Sequence, residues 1–193
     1  MEVPASAVQQ TQTTRVPIRS VSSEKIAALL EANGWMRSVA GDEDFDKAVQ
    51  AIVTMYASGR GLFLTGEAGC GKTQLLKALQ KIMGLDCYCW FYCKDADDMA
   101  ALRPSDSDAL NHNVFVDDIG SEEIVREYGN TVDVVGNFIQ LYHYRGKGRF
   151  LATTNLNSQA INERYGGRIL DRLLEMCVVL KMLGKSKRKR IIF

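Results

Sequence analysis

The chain has 193 residues, 46% of them apolar, a formal net charge of +1 and five cysteines. That length suits one domain with a modest tail and a real core. The near-neutral balance excludes a global field that draws the protein to nucleic acid. No apolar run approaches the roughly 18 residues of a membrane span, and the N-terminus has no signal-peptide stretch, so a cytoplasmic protein with no membrane partner is expected.

Residues 1–21 are rich in Gln, Thr, Ser and Val, lack an apolar period and read as a flexible arm. Residues 22–193 are expected to form one domain with a basic tail. Ser22-Ser23-Glu24 opens a helix with Ile26, Leu29 and Leu30 on one face and Asn33-Gly34 as its stop. A second helix spans 42–58, with Phe45, Val49, Ile52, Val53 and Tyr56 at helical spacing. Gly61-Leu62-Phe63-Leu64-Thr65 suits a short buried strand, and Gln74 to Met83 has helical periodicity.

Further along, 86–94 reads as a buried strand and 96–102 as a short helix stopped by Pro104. Strands are expected at 113–116, 149–154 and 177–182, and helices at 131–144, 160–165 and 168–175. Strands alternating with helices imply a parallel sheet covered on both faces, a three-layer α/β fold.

Cys87, Cys89 and Cys93 fall on one face of the 86–94 strand. Flat strand geometry and the lack of a nearby His argue against zinc, so buried reduced thiols are expected.

Between the strand at 61–65 and the next helix, residues 66–73 read GEAGCGKT. This fits G-x-x-x-x-G-K-[ST], the Walker A phosphate loop, in the strand–loop–helix context the motif requires. Gly66, Gly69 and Gly71 allow backbone conformations closed to residues with a Cβ. Glu67, Ala68 and Cys70 fill the variable positions and Gln74 follows, so that N–H groups along 66–74 converge on phosphate at a helix N-terminus. The Cys70 side chain itself carries no expected chemistry. Lys72 reaches the β- and γ-phosphates, and the Thr73 hydroxyl binds Mg²⁺.

Val114-Phe115-Val116-Asp117-Asp118 is an apolar strand ending in two carboxylates, the Walker B pattern. Asp117 is placed to hold the same Mg²⁺, and Asp118 to polarise a water for attack on the γ-phosphate. A pair of solvated turn acids is the alternative. Asn155 ends the strand FLATT and points toward the water or the γ-phosphate if the strands are parallel, although Asn after a strand is also a common turn residue.

The ordered set VFVDDIGSE, FLATTNLN, RYGGRILDRLLEM and LGKSKR resembles the AAA+ ATPases of the DnaC/IstB type, bacterial and phage helicase loaders and transposition helper ATPases. The resemblance covers roughly residues 42–190. It implies a P-loop NTPase that binds ATP and Mg²⁺, assembles as a homo-oligomer with shared ATP sites, acts on DNA, and serves a replicative helicase or a transposase. It assigns Asn155 as sensor 1, Arg172 as the finger reaching a neighbouring subunit's ATP with Arg168 in support, and Arg188 as sensor 2. A solvated helix face for the first two arginines and a plain basic tail for Arg188 are the alternatives.

The chain departs from the family in three respects. The second Walker B acid is Asp118 instead of Glu, which implies slow hydrolysis. No helical lid domain is expected after Arg188, as in the compact members. Few residues precede the core, where helicase loaders carry a module that grips the helicase. Two segments bear on DNA: the tail KSKRKR, and Tyr142 to Arg149 with its aromatics and cations. A solvated basic loop and tail is the competing reading.

These features together predict an AAA+ ATPase working on DNA in replication or transposition. A nucleotide-gated binding module with little turnover is the alternative. A small-molecule P-loop kinase is disfavoured by Asn155 and the arginine segment.

Overall fold

The computed structural model of the protein describes residues 21–83, 88–95, 98, 109–123, 125–127 and 130–184. The expected arm up to residue 20, Cys87, nearly all of the helix expected at 96–102, and the tail with Arg188 lie outside the described residues. In chain order the elements are α1 (Ser23–Ala32), α2 (Arg37–Ala40), α3 (Asp42–Ser58), β1 (Gly61–Gly66), α4 (Lys72–Met83) and β2 (Tyr88–Tyr92). A 3₁₀ turn (Ala109–Asn111), β3 (Asn113–Ile119), β4 (Val125–Glu127), β5 (Asn130–Val132) and α5 (Val134–Arg145) follow. Last come β6 (Phe150–Thr154), α6 (Ser158–Tyr165), α7 (Gly167–Met176) and β7 (Cys177–Met182). Among the described residues no helix is long and apolar enough to cross a membrane.

Five strands form one parallel sheet in the order β2-β3-β6-β1-β7. Alternation along each strand divides the core into two layers. Leu62 and Leu64 of β1, Phe115 of β3, Leu151 of β6 and Leu180 of β7 pack with α1, α3 and α4. Their neighbours Phe63, Val114, Val116, Phe150, Ala152 and Cys177 pack with α5, α6 and α7. The result is the expected three-layer α/β fold. All five strands end on one edge, where open parallel sheets present their ligand sites.

The thiols behave as expected where described. Cys70, Cys93 and Cys177 are buried and Cys89 partly so, all without disulfides. Burial pushes the Cys177 thiol up to about 12 and raises that of Cys93 further.

Several boundaries differ from expectation for identifiable reasons. The strand expected at 113–116 runs on to Ile119, with an irregular register against β6 between Val116 and Ile119. Asp118 sits within that irregularity at φ 66°, the one non-glycine positive φ among the described residues. An acid tolerates that region because its short polar side chain bonds locally. The helix expected from residue 131 starts at Val134: Asp133 caps it by accepting from Gly136 N at 2.8 Å, and 130–132 pair instead as β5 with β4. The four-residue α2 was not expected, and it carries Val39 toward the site.

A buried carboxylate fixes where β7 leads. Asp44, in the first turn of α3 and 4% exposed, accepts from the backbone N–H of Leu183 (2.9 Å) and Gly184 (2.8 Å). This anchors the chain leaving β7 beside Ala40 and Cys70. Asp44→Ala leaves both donors unpaired and is expected to lower unfolding free energy by about 3 kcal/mol at unchanged m-value in urea. A loss below about 0.5 kcal/mol would show that the anchor carries no weight.

Candidate functional site

The loop between β1 and α4 turns back over the end of the sheet. Gly66 leaves β1 at φ 147°, and a Cβ there would lie 2.5 Å from the Met182 carbonyl oxygen, so only glycine lets the loop pass this close to β7. Behind it, Trp35 is buried and stacks on Phe45 with ring centroids 5.5 Å apart. The loop borders a cavity of about 370 Å³ lined by Val39, Ala68, Gly69, Gly71, Lys72, Thr73, Gln74, Lys94, Asp118 and Asn155.

Lys72 is the electrostatic centre. It is 5% exposed, and its ammonium donates to the Gly66 carbonyl, the Glu67 carbonyl and Asn155 Oδ1, each at 2.8 Å. An ammonium carries three donors, so these bonds satisfy it and make its burial tolerable. Asn155 uses both ends of its amide: Oδ1 accepts from Lys72, and Nδ2 donates to Asp118 Oδ1 at 2.6 Å. One side chain thus ties the phosphate loop to the acids of β3.

Asp117, 6% exposed, accepts on Oδ1 from Thr73 Oγ1 (3.0 Å) and Thr153 Oγ1 (2.6 Å). A hydroxyl and a carboxylate side by side are hard oxygen donors of the kind Mg²⁺ takes, with phosphate and water completing its shell. Among the described residues no cluster of three or more His, Cys, Asp or Glu forms a cage. Thr73 and Asp117 therefore fit a Mg²⁺ held mainly by its phosphate partner. Both oxygens of Asp118 are engaged, Oδ1 by Asn155 and Oδ2 by Lys94 Nζ at 2.7 Å.

No protein-family model and no curated sequence matches the chain. Solved structures do. The crystal structure of the DnaC helicase loader aligns at TM-score 0.54 and 22% identity, over 72% of this chain and 90% of that one. A protein from Streptococcus pyogenes serotype M3, described as a candidate primosome component, aligns at TM-score 0.55 and 22% identity, over 77% and 85%. The chain shares its fold with these two proteins. At these identities the likeness is one of architecture, and roles within it rest on this chain's own residues.

The DnaC-type fold brings together Walker A, both Walker B acids and Asn155. It does not bring Arg168 and Arg172 into their cavity. Arg172, on α7, lies over the Tyr144 ring (4.4 Å to its centroid) and donates to Tyr144 Oη at 2.5 Å. Its other terminal nitrogen meets His143 Nδ1 at 2.6 Å, and His143 Nε2 faces Glu175 at 2.7 Å. Arg168, in the first turn of the same helix, is exposed, and no described residue pairs with it. Of the aromatic-basic stretch, Tyr142 is buried with its hydroxyl donating to His112 O at 2.7 Å, and the Arg149 guanidinium lies over Tyr56. Tyr144, Arg145 and Lys147 remain exposed.

Sequence reasoning missed three contributors. Thr153, fully buried, links β6 to both acids, donating to Asp117 and accepting from Asp118 N at 2.8 Å. Its signal was a pair of threonines closing an otherwise apolar strand. Lys94 closes the strand expected at 86–94, a position with no local signal of chemistry. Glu122, beyond β3, accepts from Gly120 N at 2.9 Å, from Arg164 at 3.0 Å and from the Tyr165 hydroxyl, holding the turn after Asp118 against α6. Burial, with the Glu122 charge beside it, raises the Tyr165 phenol.

Proposed function

We propose that the protein binds ATP·Mg²⁺ and hydrolyses it slowly as part of a self-assembled oligomer that acts on DNA in replication or in transposition. The observation that carries this reading is the bridge Lys72–Asn155–Asp118 across the cavity, bonds of 2.8 and 2.6 Å that join a phosphate-gripping lysine to a carboxylate. Lys72 and the loop amides take the phosphates, and Thr73 and Asp117 take the metal, which supplies charge neutralisation on the transferring group. Asp118 orients the attacking water, and Asn155 keeps that acid in register with the phosphate end. Arg168 stands free at the surface to reach a neighbouring subunit's nucleotide, while Arg172, held by His143 and Tyr144, braces the helix that carries it.

The DNA part rests on Tyr144, Arg145 and Lys147. They lie near the start of β6, at the sheet edge away from the cavity, so both ligands can be bound at once. The solved relatives, a helicase loader and a candidate primosome component, favour replication and a replicative helicase as partner. A nucleotide-gated switch with little turnover is the second reading. The double engagement of Asp118, in which Asn155 and Lys94 compete with water for both carboxylate oxygens, favours it.

Turnover per chain, measured against protein concentration with and without single- or double-stranded DNA, separates these readings. The ATPase reading expects a rate that rises with concentration and is lost in Asp117→Asn. A flat background rate, equal in Asp117→Asn, leaves the switch.

A further inference from the structure

The geometry points to Lys94 as a second phosphate-contacting lysine, one that leaves Asp118 for the terminal phosphate of a nucleoside triphosphate and so makes the site prefer tri- over diphosphate. The inference rests on the cavity being a nucleotide site.

Placement comes from the sheet. β2 pairs with β3 in the register Tyr92↔Asp117, and Cys93 N donates to Asp117 O at 3.0 Å. The turn that follows sets Lys94 against Asp118, with Nζ 2.7 Å from Oδ2, and both side chains line the same cavity as Lys72 and Thr73.

Freedom distinguishes the two cavity lysines. Lys72 is 5% exposed and held by three oxygens, whereas the Lys94 side chain is 67% exposed and held by one carboxylate. A pair so exposed is weak, so its ammonium is available to a stronger anion. A terminal phosphate carries more charge than a carboxylate and offers three acceptor oxygens to a compact ammonium. Once Lys94 turns to it, Asp118 keeps only the Asn155 bond and has Oδ2 open to water. A diphosphate lacks the group that draws Lys94 away, so Lys94 returns to Asp118 after hydrolysis.

The test is equilibrium titration of the full chain with Mg²⁺ and either a non-hydrolysable ATP analogue or ADP, comparing wild type, Lys94→Met and Lys94→Arg. The expected result is a loss of about tenfold in triphosphate affinity for Lys94→Met, the size of one charge-assisted hydrogen bond, with ADP affinity changed less than about twofold. Lys94→Arg keeps the preference. Equal losses for both nucleotides, or none for the triphosphate, overturn the role of Lys94 while leaving the site intact. A folded wild type that binds neither nucleotide overturns the nucleotide site itself, and this inference with it.

Discussion

Lys72→Ala is expected to weaken nucleotide binding by at least about 100-fold, the equivalent of two charge-assisted bonds to phosphate. The fold should survive. The side chain is buried, but its partners are two loop carbonyls and the Asn155 amide, which water entering the cavity can serve. Unfolding free energy should fall by no more than about 3 kcal/mol, the desolvation scale of a few unpaired acceptors. Fluorescent-nucleotide titration alongside urea unfolding reads both quantities. Retained binding in a folded Lys72→Ala chain would show that the loop does not grip the phosphates.

The second large effect concerns the arginines. Arginines acting in trans on phosphoryl transfer are worth about 10³ to 10⁵ in rate in well-studied systems. Arg168→Ala is therefore expected to cut turnover by about 10³ with ATP affinity nearly unchanged. Arg172→Ala removes the contacts to Tyr144 and His143 and should act first on the stability of α7 packing. Family resemblance alone favoured Arg172. The contacts reverse that preference, since a guanidinium committed inside its own subunit is not free to cross to another. Because α7 runs directly into β7, Arg172 also lies nearer the sheet's N-terminal edge than Arg168 does. Mixing Arg168→Ala with Asp118→Ala chains should restore part of the lost activity, because one chain's arginine then meets the other's intact acid. No recovery in the mixture, with Arg168→Ala fully active alone, would place the finger elsewhere.

What could be read from the sequence divides along a physical line. The phosphate loop was legible because its glycines and lysine meet backbone requirements at fixed local spacing. The layers were legible because β1, β3 and β6 are apolar runs alternating with amphipathic helices. The bridge by Asn155 was visible only as a residue type at a strand end; that it bonds Lys72 and Asp118 together depends on β6 lying between β1 and β3. Thr153 was hidden for the same reason, a polar atom in an apolar strand whose partners sit on another strand. Lys94 meets Asp118 through the β2–β3 register, which no local pattern encodes. The β4–β5 hairpin was missed because two three-residue strands carry too short a pattern to outweigh helical periodicity starting beside them. Asp118's left-handed backbone, within the irregular end of β3, has no sequence signature beyond being an acid.

Calorimetric titration of the wild-type chain with ATP and Mg²⁺ decides whether the cavity holds a nucleotide. One triphosphate should bind per chain, with affinity that falls on adding EDTA and vanishes in Lys72→Ala. A folded wild-type chain that takes up no heat-detectable nucleotide at millimolar ATP, or binding that Lys72→Ala leaves intact, would contradict that expectation.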